Sequence, residues 1–343
     1  MALVKSRDSP QHRGDEEGKE TMRRIAAFLF AALLALPASA QEAYPSRAVT
    51  IITPYAPGGG SDLLARTLAE SFRISLRESV VVQNVAGAGG AVGSMQAAKA
   101  KPDGYTLLLN HIGLATIPSL YKKFNFDPLA AFETIGLFAE APMMILARKE
   151  FAPRDLKELV AYAKANREKL TMASSGMGSS THLCAMLFQE AIGVPLTMVQ
   201  YKGGAPAMID VRSGQVDLIC DLPTTTSSMV RNGDVRAYVL TAPKRMASLP
   251  DVPTAAEAGM PSLDIGVWFG LYAPKGTPQP IIEILSKALR VAVLDPGVAL
   301  QLEKIETILL PVDQATPEAH RAKLASQIEL WRPIIEKAGV QAE

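Results

Sequence analysis

The chain has 343 residues, 48% of them hydrophobic and 20% charged, with a formal net charge of +1. That length and apolar content exclude a miniprotein and a mainly disordered chain. Six of the 35 basic and five of the 34 acidic residues fall within residues 1–40, which leaves 29 of each sign; without net charge the remainder has no long-range field to gather phosphate backbones or anionic lipid, so neither nucleic acid nor a membrane surface is an expected partner.

The first informative segment is Met22-Arg23-Arg24, followed by the apolar run Ile25–Leu36, Pro37 and Ala38-Ser39-Ala40. A basic start, an apolar core of 12 residues and a small-residue site read as a secretory signal peptide. The core is well short of the roughly 20 residues of a membrane span. Cleavage is expected after Ala40, and Gln41 in place of Cys removes the site for lipid attachment, so a periplasmic protein is expected. Residues 1–21 fit no part of such a signal and read as an upstream extension, with translation expected to start at Met22 and the signal to occupy 22–40. Cys184 and Cys220 are the two thiols. Export permits their pairing, but both lie in apolar patterns, and two buried small residues is the simpler reading. The four histidines, His12, His111, His182 and His320, are dispersed without metal-site spacing, and no metal or cofactor is expected.

From Gln41 onward, apolar runs alternate with amphipathic helical stretches. Strands are expected at Val49–Thr53, Val80–Val85, Tyr105–Leu109, Met143–Ala147, Leu170–Ala173, Leu196–Val199, Val216–Cys220 and Val235–Leu240. Most runs are continuously apolar, as strands covered on both faces of a parallel sheet are, so the class is α/β. Such a length exceeds one core, and two α/β lobes are expected. Ile135–Ala147 and Asp264–Ala273 read as two segments that cross between the lobes.

Three glycine-rich turns each join a strand to a helix: Pro54–Asp62, Ser174–His182 and Tyr201–Pro206. In the first, Gly58, Gly59 and Gly60 let backbone approach a ligand, and Ser61 or Asp62 is expected to cap a helix starting near Leu63. The second precedes a helix Leu183–Ala191 ended by Gly193; the third places Pro206 in a first helical turn and Gly214 beyond the last. Free amides and the positive dipole end attract an anion by roughly 0.3–1 kcal/mol each. Any one turn alone reads as chain reversal with capping. Three, rich in hydroxyls and placed where ligands bind in open α/β sheets, point to a carboxylate site.

Other motifs fail. Gly87-Ala88-Gly89-Gly90-Ala91-Val92-Gly93 lacks dinucleotide spacing because Val92 takes the third glycine's place, and Gly60-Ser61-Asp62 offers no P-loop lysine. No G-x-S-x-G elbow is present, which leaves a hydrolase built from Ser179 or Ser61 with His182 and Asp62 as a remote alternative.

At these residues the sequence resembles the Bug/TctC family, periplasmic solute-binding receptors of tripartite tricarboxylate transporters. The matching motifs include Tyr44-Pro45-Ser46-Arg47, Pro57–Asp62 with Ala65-Arg66, Asn84–Gly90, Pro102–Leu108, Gly176–Leu183, Tyr201–Ala207, Leu249–Thr254 and Ala273–Pro278. Ala131 and Val85-Ala86 depart from the usual pattern away from the turns. The resemblance implies a two-lobed, type II-like periplasmic binding protein, each lobe a mainly parallel sheet flanked by helices, with lobe one at 41–140 plus 268–343 and lobe two at 141–267. It implies no enzyme, and a monomer that binds a small organic acid or amino acid and hands it to a TctA/TctB-type permease. A sensor that docks on a membrane histidine kinase is the alternative partner. By motif, Tyr55, Ala56, Gly58, Gly59, Ser61 and Asp62 would form one wall of the site. Ser174, Ser175, Gly176, Gly178, Ser179, Thr181 and His182 would face them with Tyr201, Gly203, Gly204 and Ala205. Asp221 would accept from a ligand hydroxyl or amine, or else cap a turn; His111 would read the distal end of the solute, or else be structural.

Overall fold

The computed structural model describes Met22, residues 44–167 and residues 169–341. The expected start site, signal peptide and cleavage point lie, apart from Met22, outside the described residues. The elements begin with β1 (Val49–Thr53), α1 (Gly60–Leu76), β2 (Val80–Asn84), α2 (Ala91–Ala98), β3 (Thr106–His111), α3 (Gly113–Leu120), α4 (Pro128–Ala131) and β4 (Phe132–Ala141). They continue with β5 (Met144–Arg148), α5 (Leu156–Asn166), β6 (Thr171–Ser174), α6 (Ser180–Ile192), β7 (Thr197–Gln200), α7 (Gly204–Ser213), β8 (Leu218–Asp221), α8 (Pro223–Arg231) and β9 (Val235–Leu240). Last come β10 (Val267–Pro274), α9 (Gln279–Leu294), α10 (Pro296–Lys304), β11 (Ile308–Leu309) and α11 (Pro317–Ala338).

These elements form two sheets flanked by helices, of order β11-β4-β10-β3-β1-β2 and β7-β6-β8-β5-β9. Both are mixed where mainly parallel sheets were expected. β1 runs parallel to β2 and β3, and β6 parallel to β7 and β8, but β10 is antiparallel to β3 and β4, and β5 to β8 and β9. A continuous apolar run reports cover on both faces and says nothing of direction: all of β10 is buried, yet it runs antiparallel.

Packing follows the helical period. On α1, Leu64, Leu68, Phe72 and Leu76 recur every fourth residue and are all buried, each worth about 1.5–3 kcal/mol over an exposed position. Cys184 of α6 and Cys220 of β8 are bonded to each other, with Cα atoms 6.0 Å apart. Both are buried, as two small apolar residues would be; α6 packs over β8 closely enough for the bond to form, and pairing replaces the simpler reading.

The chain passes from the first sheet to the second between β4 and β5 and returns between β9 and β10. Thr241 ties the two crossings together. Its hydroxyl accepts from Met143 N–H at 2.7 Å and donates to the Ile265 carbonyl at 2.7 Å, while its own N–H donates to Met143 O at 2.8 Å. A cavity of about 820 Å³ lies against these crossings, between Pro142, Thr241–Met246 and Thr307–Pro311, and includes none of the glycine turns.

Candidate functional site

The first turn is built around one acid. Helix α1 starts at Gly60 with Gly59 as its N-cap, and no side chain caps it. Ser61 and Asp62, expected as caps, lie inside the first turn instead. Asp62 reaches back: Oδ2 accepts from Gly58 N–H at 3.0 Å and Arg66 Nε at 3.1 Å, and Oδ1 from Arg66 Nη2 and Asn84 Nδ2 at 3.0 Å each. Asn84 Nδ2 also donates to Tyr55 O at 3.0 Å. Burial would raise the Asp62 carboxyl, but the hydrogen bonds from Arg66, Gly58 and Asn84 outweigh it and hold the group below the usual carboxylate range. About four acceptor positions are all a carboxylate has, so Asp62 shapes the turn and keeps none for a ligand. Asp62 N–H and Leu63 N–H both turn to Gly59 O, at 3.0 and 3.1 Å. The N–H groups of Gly60 and Ser61 are the orphan amides of a helix start.

The second turn folds on its own hydroxyls. Ser175 N–H donates to Thr181 Oγ1 at 2.6 Å, Gly176 N–H to Ser174 Oγ at 3.2 Å, and Ser179 caps α6 by accepting from His182 N–H at 3.3 Å. Ser174 Oγ in turn bonds Gln200 Oε1 at 2.5 Å. The turn needs Gly176 and Gly178, with φ of 109° and 84°. His182 Nδ1 accepts from Gly178 N–H at 3.2 Å, and burial lowers the ring to about 4, so it is neutral at pH 7. Ser179 Oγ bonds Thr181 Oγ1 at 2.9 Å. The pairs are thus not those of a serine nucleophile with its base.

The third turn starts α7 at Gly204, where Pro206 has no N–H to leave unpaired and Gly214 closes the helix. Tyr201 is drawn to the flank: its hydroxyl donates to Asp210 Oδ2 at 2.6 Å, and burial together with that acid pushes it up to about 12. The first and third turns meet. Ala56 N–H donates to Lys202 O at 3.3 Å, a Cβ at Gly203 would lie 2.8 Å from Ala56 Cβ, and a Cβ at Gly59 would lie 4.0 Å from Gly204 N. Two helix starts, of α1 and α7, therefore point their positive ends at one place.

Asp221, at the end of β8, lies beside that place. It is buried, its Oδ1 accepts from Leu222 N–H at 2.8 Å, and Oδ2 has no protein donor among the described residues. A Cβ at Gly204 would lie 3.2 Å from Oδ2. Burial pushes the carboxyl up to about 6. Asp221 lines a cavity of about 410 Å³ with Gly58, Gly204, Ala205, Thr224 and Ser228.

His111, at the end of β3, is stacked on Tyr55 with ring centroids 4.7 Å apart and meets Phe269 edge-on at 5.6 Å. Its Nδ1 accepts from Gly113 N–H at 2.9 Å, and burial lowers the ring to about 3. Nε2 then carries the proton and has no protein acceptor among the described residues. Tyr55 donates to Gly89 O at 2.9 Å. All three turns, Asp221 and His111 thus fall along one seam between the two sheets. Sequence reasoning named Arg66 and Asn84, which brace the first turn, only within matching motifs and not as site residues, and it passed over Thr116 and Tyr121, which touch the second. Arg66 left a signal in its spacing of four from Asp62 on one helix, and Asn84 as a polar residue closing a strand just before a glycine cluster. Among the described residues no three His, Cys, Asp or Glu side chains gather to hold a metal ion.

Residues 64–340 match the family model described as tripartite tricarboxylate transporter family receptor. The chain belongs to that family. Its members are periplasmic solute-binding receptors, a family of binding proteins and not of enzymes. A UPF0065 protein of Agrobacterium vitis is 42% identical over 317 residues, covering 92% of each chain. The structure of the periplasmic binding protein BugD is similar at 44% identity and a TM-score of 0.84, covering 88% of this chain and 100% of that one. MatC from Rhodopseudomonas palustris with bound malate is similar at 34% identity and a TM-score of 0.82, covering 85% and 100%.

Proposed function

We propose that this chain is an extracytoplasmic receptor that closes around one small carboxylate-bearing solute and delivers it to a TctA/TctB-type membrane permease. The observation that carries the reading is the convergence of the α1 and α7 starts at Gly59 and Gly204 beside the half-satisfied Asp221. The free amides of Gly60, Ser61, Gly204 and Ala205 take the solute carboxylate, and the two dipole ends supply the attraction. Asp221 Oδ2 accepts from a hydroxyl or amine of the same solute, and His111 Nε2–H donates to its distal end. Malate, the ligand of the MatC relative, carries both a carboxylate and a hydroxyl and supports this division of labour.

The halves built on the two sheets, 41–140 with 268–343 and 141–267, act as the lobes. A solute that touches both stabilises the closed form only as far as it binds that form better than the open one. The exported protein starts at Gln41 and works as a monomer. A thermal-shift screen of small organic acids and amino acids, malate included, tests the reading. A true ligand at about 100 times its dissociation constant adds about 2.7 kcal/mol of stability and is recovered unchanged by mass spectrometry. A screen without a shift, or a ligand returned as product, defeats it.

A further inference from the structure

The glycine cluster that matches no nucleotide fingerprint has a place along the same seam. Gly87, Ala88, Gly89 and Gly90 take φ of 146°, 47°, 58° and 100° in succession, a run of positive φ that chains with side chains rarely adopt. Tyr55 holds the turn from its own side through Gly89 O at 2.9 Å. From the other sheet the second glycine turn presses against it: a Cβ at Gly89 would collide with the Met177 carbonyl oxygen, and a Cβ at Gly176 would lie 2.8 Å from Gly89 N. Tyr121 Oη donates to that same Met177 carbonyl at 2.9 Å. Thr116 Oγ1, which donates to Gly113 O at 2.8 Å, is shared with the next carbonyl, Gly178 O, at 3.2 Å.

We propose that Tyr121, Thr116 and the Gly87–Gly90 turn form a clasp that takes the successive carbonyls of Met177 and Gly178 and holds the two halves of the molecule together without any solute between them. The glycine at 89 is what lets a carbonyl of one half reach the backbone of the other. Tyr121, Thr116 and Gly87–Gly90 are not among the residues assigned to the solute, and their contacts with Gly176, Met177 and Gly178 exist only while the halves touch. They therefore add to the closed form alone, raising its share before the solute arrives and slowing solute escape afterwards. The consequence for retention rests on the receptor reading; the clasp itself does not.

The test is small-angle scattering of the purified chain without solute, comparing it with the double variant Tyr121→Phe/Thr116→Val. Phenylalanine keeps the ring stacked on Phe124, 5.2 Å away, and valine keeps the shape of threonine, so the melting temperature stays near that of the parent. Loss of the Tyr121 hydrogen bond and of the weaker one that Thr116 shares with Gly113 O lowers the closed-to-open ratio by about two-fold or more, and the radius of gyration rises. Gly89→Ala, which sets a methyl against Met177 O, opens the molecule further. A radius of gyration unchanged in the folded double variant overturns the clasp. A solute screen in which nothing binds would remove the receptor reading and leave this result standing.

Discussion

Asp62 and Asp221 are both buried acids at the edge of the same seam, and they are treated in opposite ways. Asp62 accepts four hydrogen bonds from Gly58, Arg66 and Asn84 and is held below the usual carboxylate range. Asp221 accepts one from Leu222 and burial raises it to about 6. A saturated acid is part of the architecture; a buried acid with a spare oxygen costs stability until something donates to it. The contrast separates an acid that braces a turn from one that keeps an oxygen open to a donor, which the proposed function takes to be the solute.

Breaking the first of the pair has the largest effect. Asp62→Ala removes the one acceptor that Gly58 N–H, Asn84 and Arg66 share and is expected to cost about 3 kcal/mol, read as a lower midpoint in urea. The second shows in the pH dependence. Because the folded-state carboxyl of Asp221 lies above its unfolded value of about 3.9, stability falls as pH rises from about 4 through 6, by up to about 3 kcal/mol. Asp221→Asn is expected to remove that component from the variant's pH profile, so that the difference between the two proteins' profiles carries it, and profiles that stay parallel contradict it. The buried His111 and His182, lowered to about 3 and about 4, act with the opposite sign in the same window and cancel in the difference. Gly59→Asp sharpens the comparison by adding an acid where the solute carboxylate is assigned. The new side chain caps α1, so the melting temperature holds or rises slightly, while affinity for any ligand found in the screen falls by more than about 100-fold, or about 2.7 kcal/mol. Smallest is Ser179→Ala, which removes the α6 cap and its bond to Thr181 for about 1 kcal/mol of stability.

Much of this frame could be read in the chain beforehand, because it is written locally. All eight apolar runs from Val49–Thr53 to Val235–Leu240 form strands, within a residue or two at their ends. Gly193 and Gly214 close their helices in the left-handed conformation, and Pro206 stands in a first turn, as their chemistry requires. What could not be read depends on partners distant in sequence. Asp62 reads as a cap or a ligand contact; Gly58 and Arg66, four positions to either side, give it three hydrogen bonds, and the fourth comes from Asn84, 22 positions on. Tyr201 reads as a residue facing the solute, and its bond to Asp210 was not legible because that acid only comes within reach once α7 has formed. Cys184 and Cys220 share an apolar setting with many unpaired thiols, and their 36-residue separation carries no pairing signal until α6 lies over β8. Strand direction was equally silent, since burial on both faces makes a parallel and an antiparallel strand read alike.

Thr241 has a consequence for how the molecule can bend. One hydroxyl is bonded to Met143 on the outward connection and to Ile265 on the returning one, so the outward connection cannot slide past the returning one without severing its links to Thr241. Of the hinge and shear modes open to packed domains, that arrangement favours rotation about a common axle, which would bring opposing residues back into the same register at every closure.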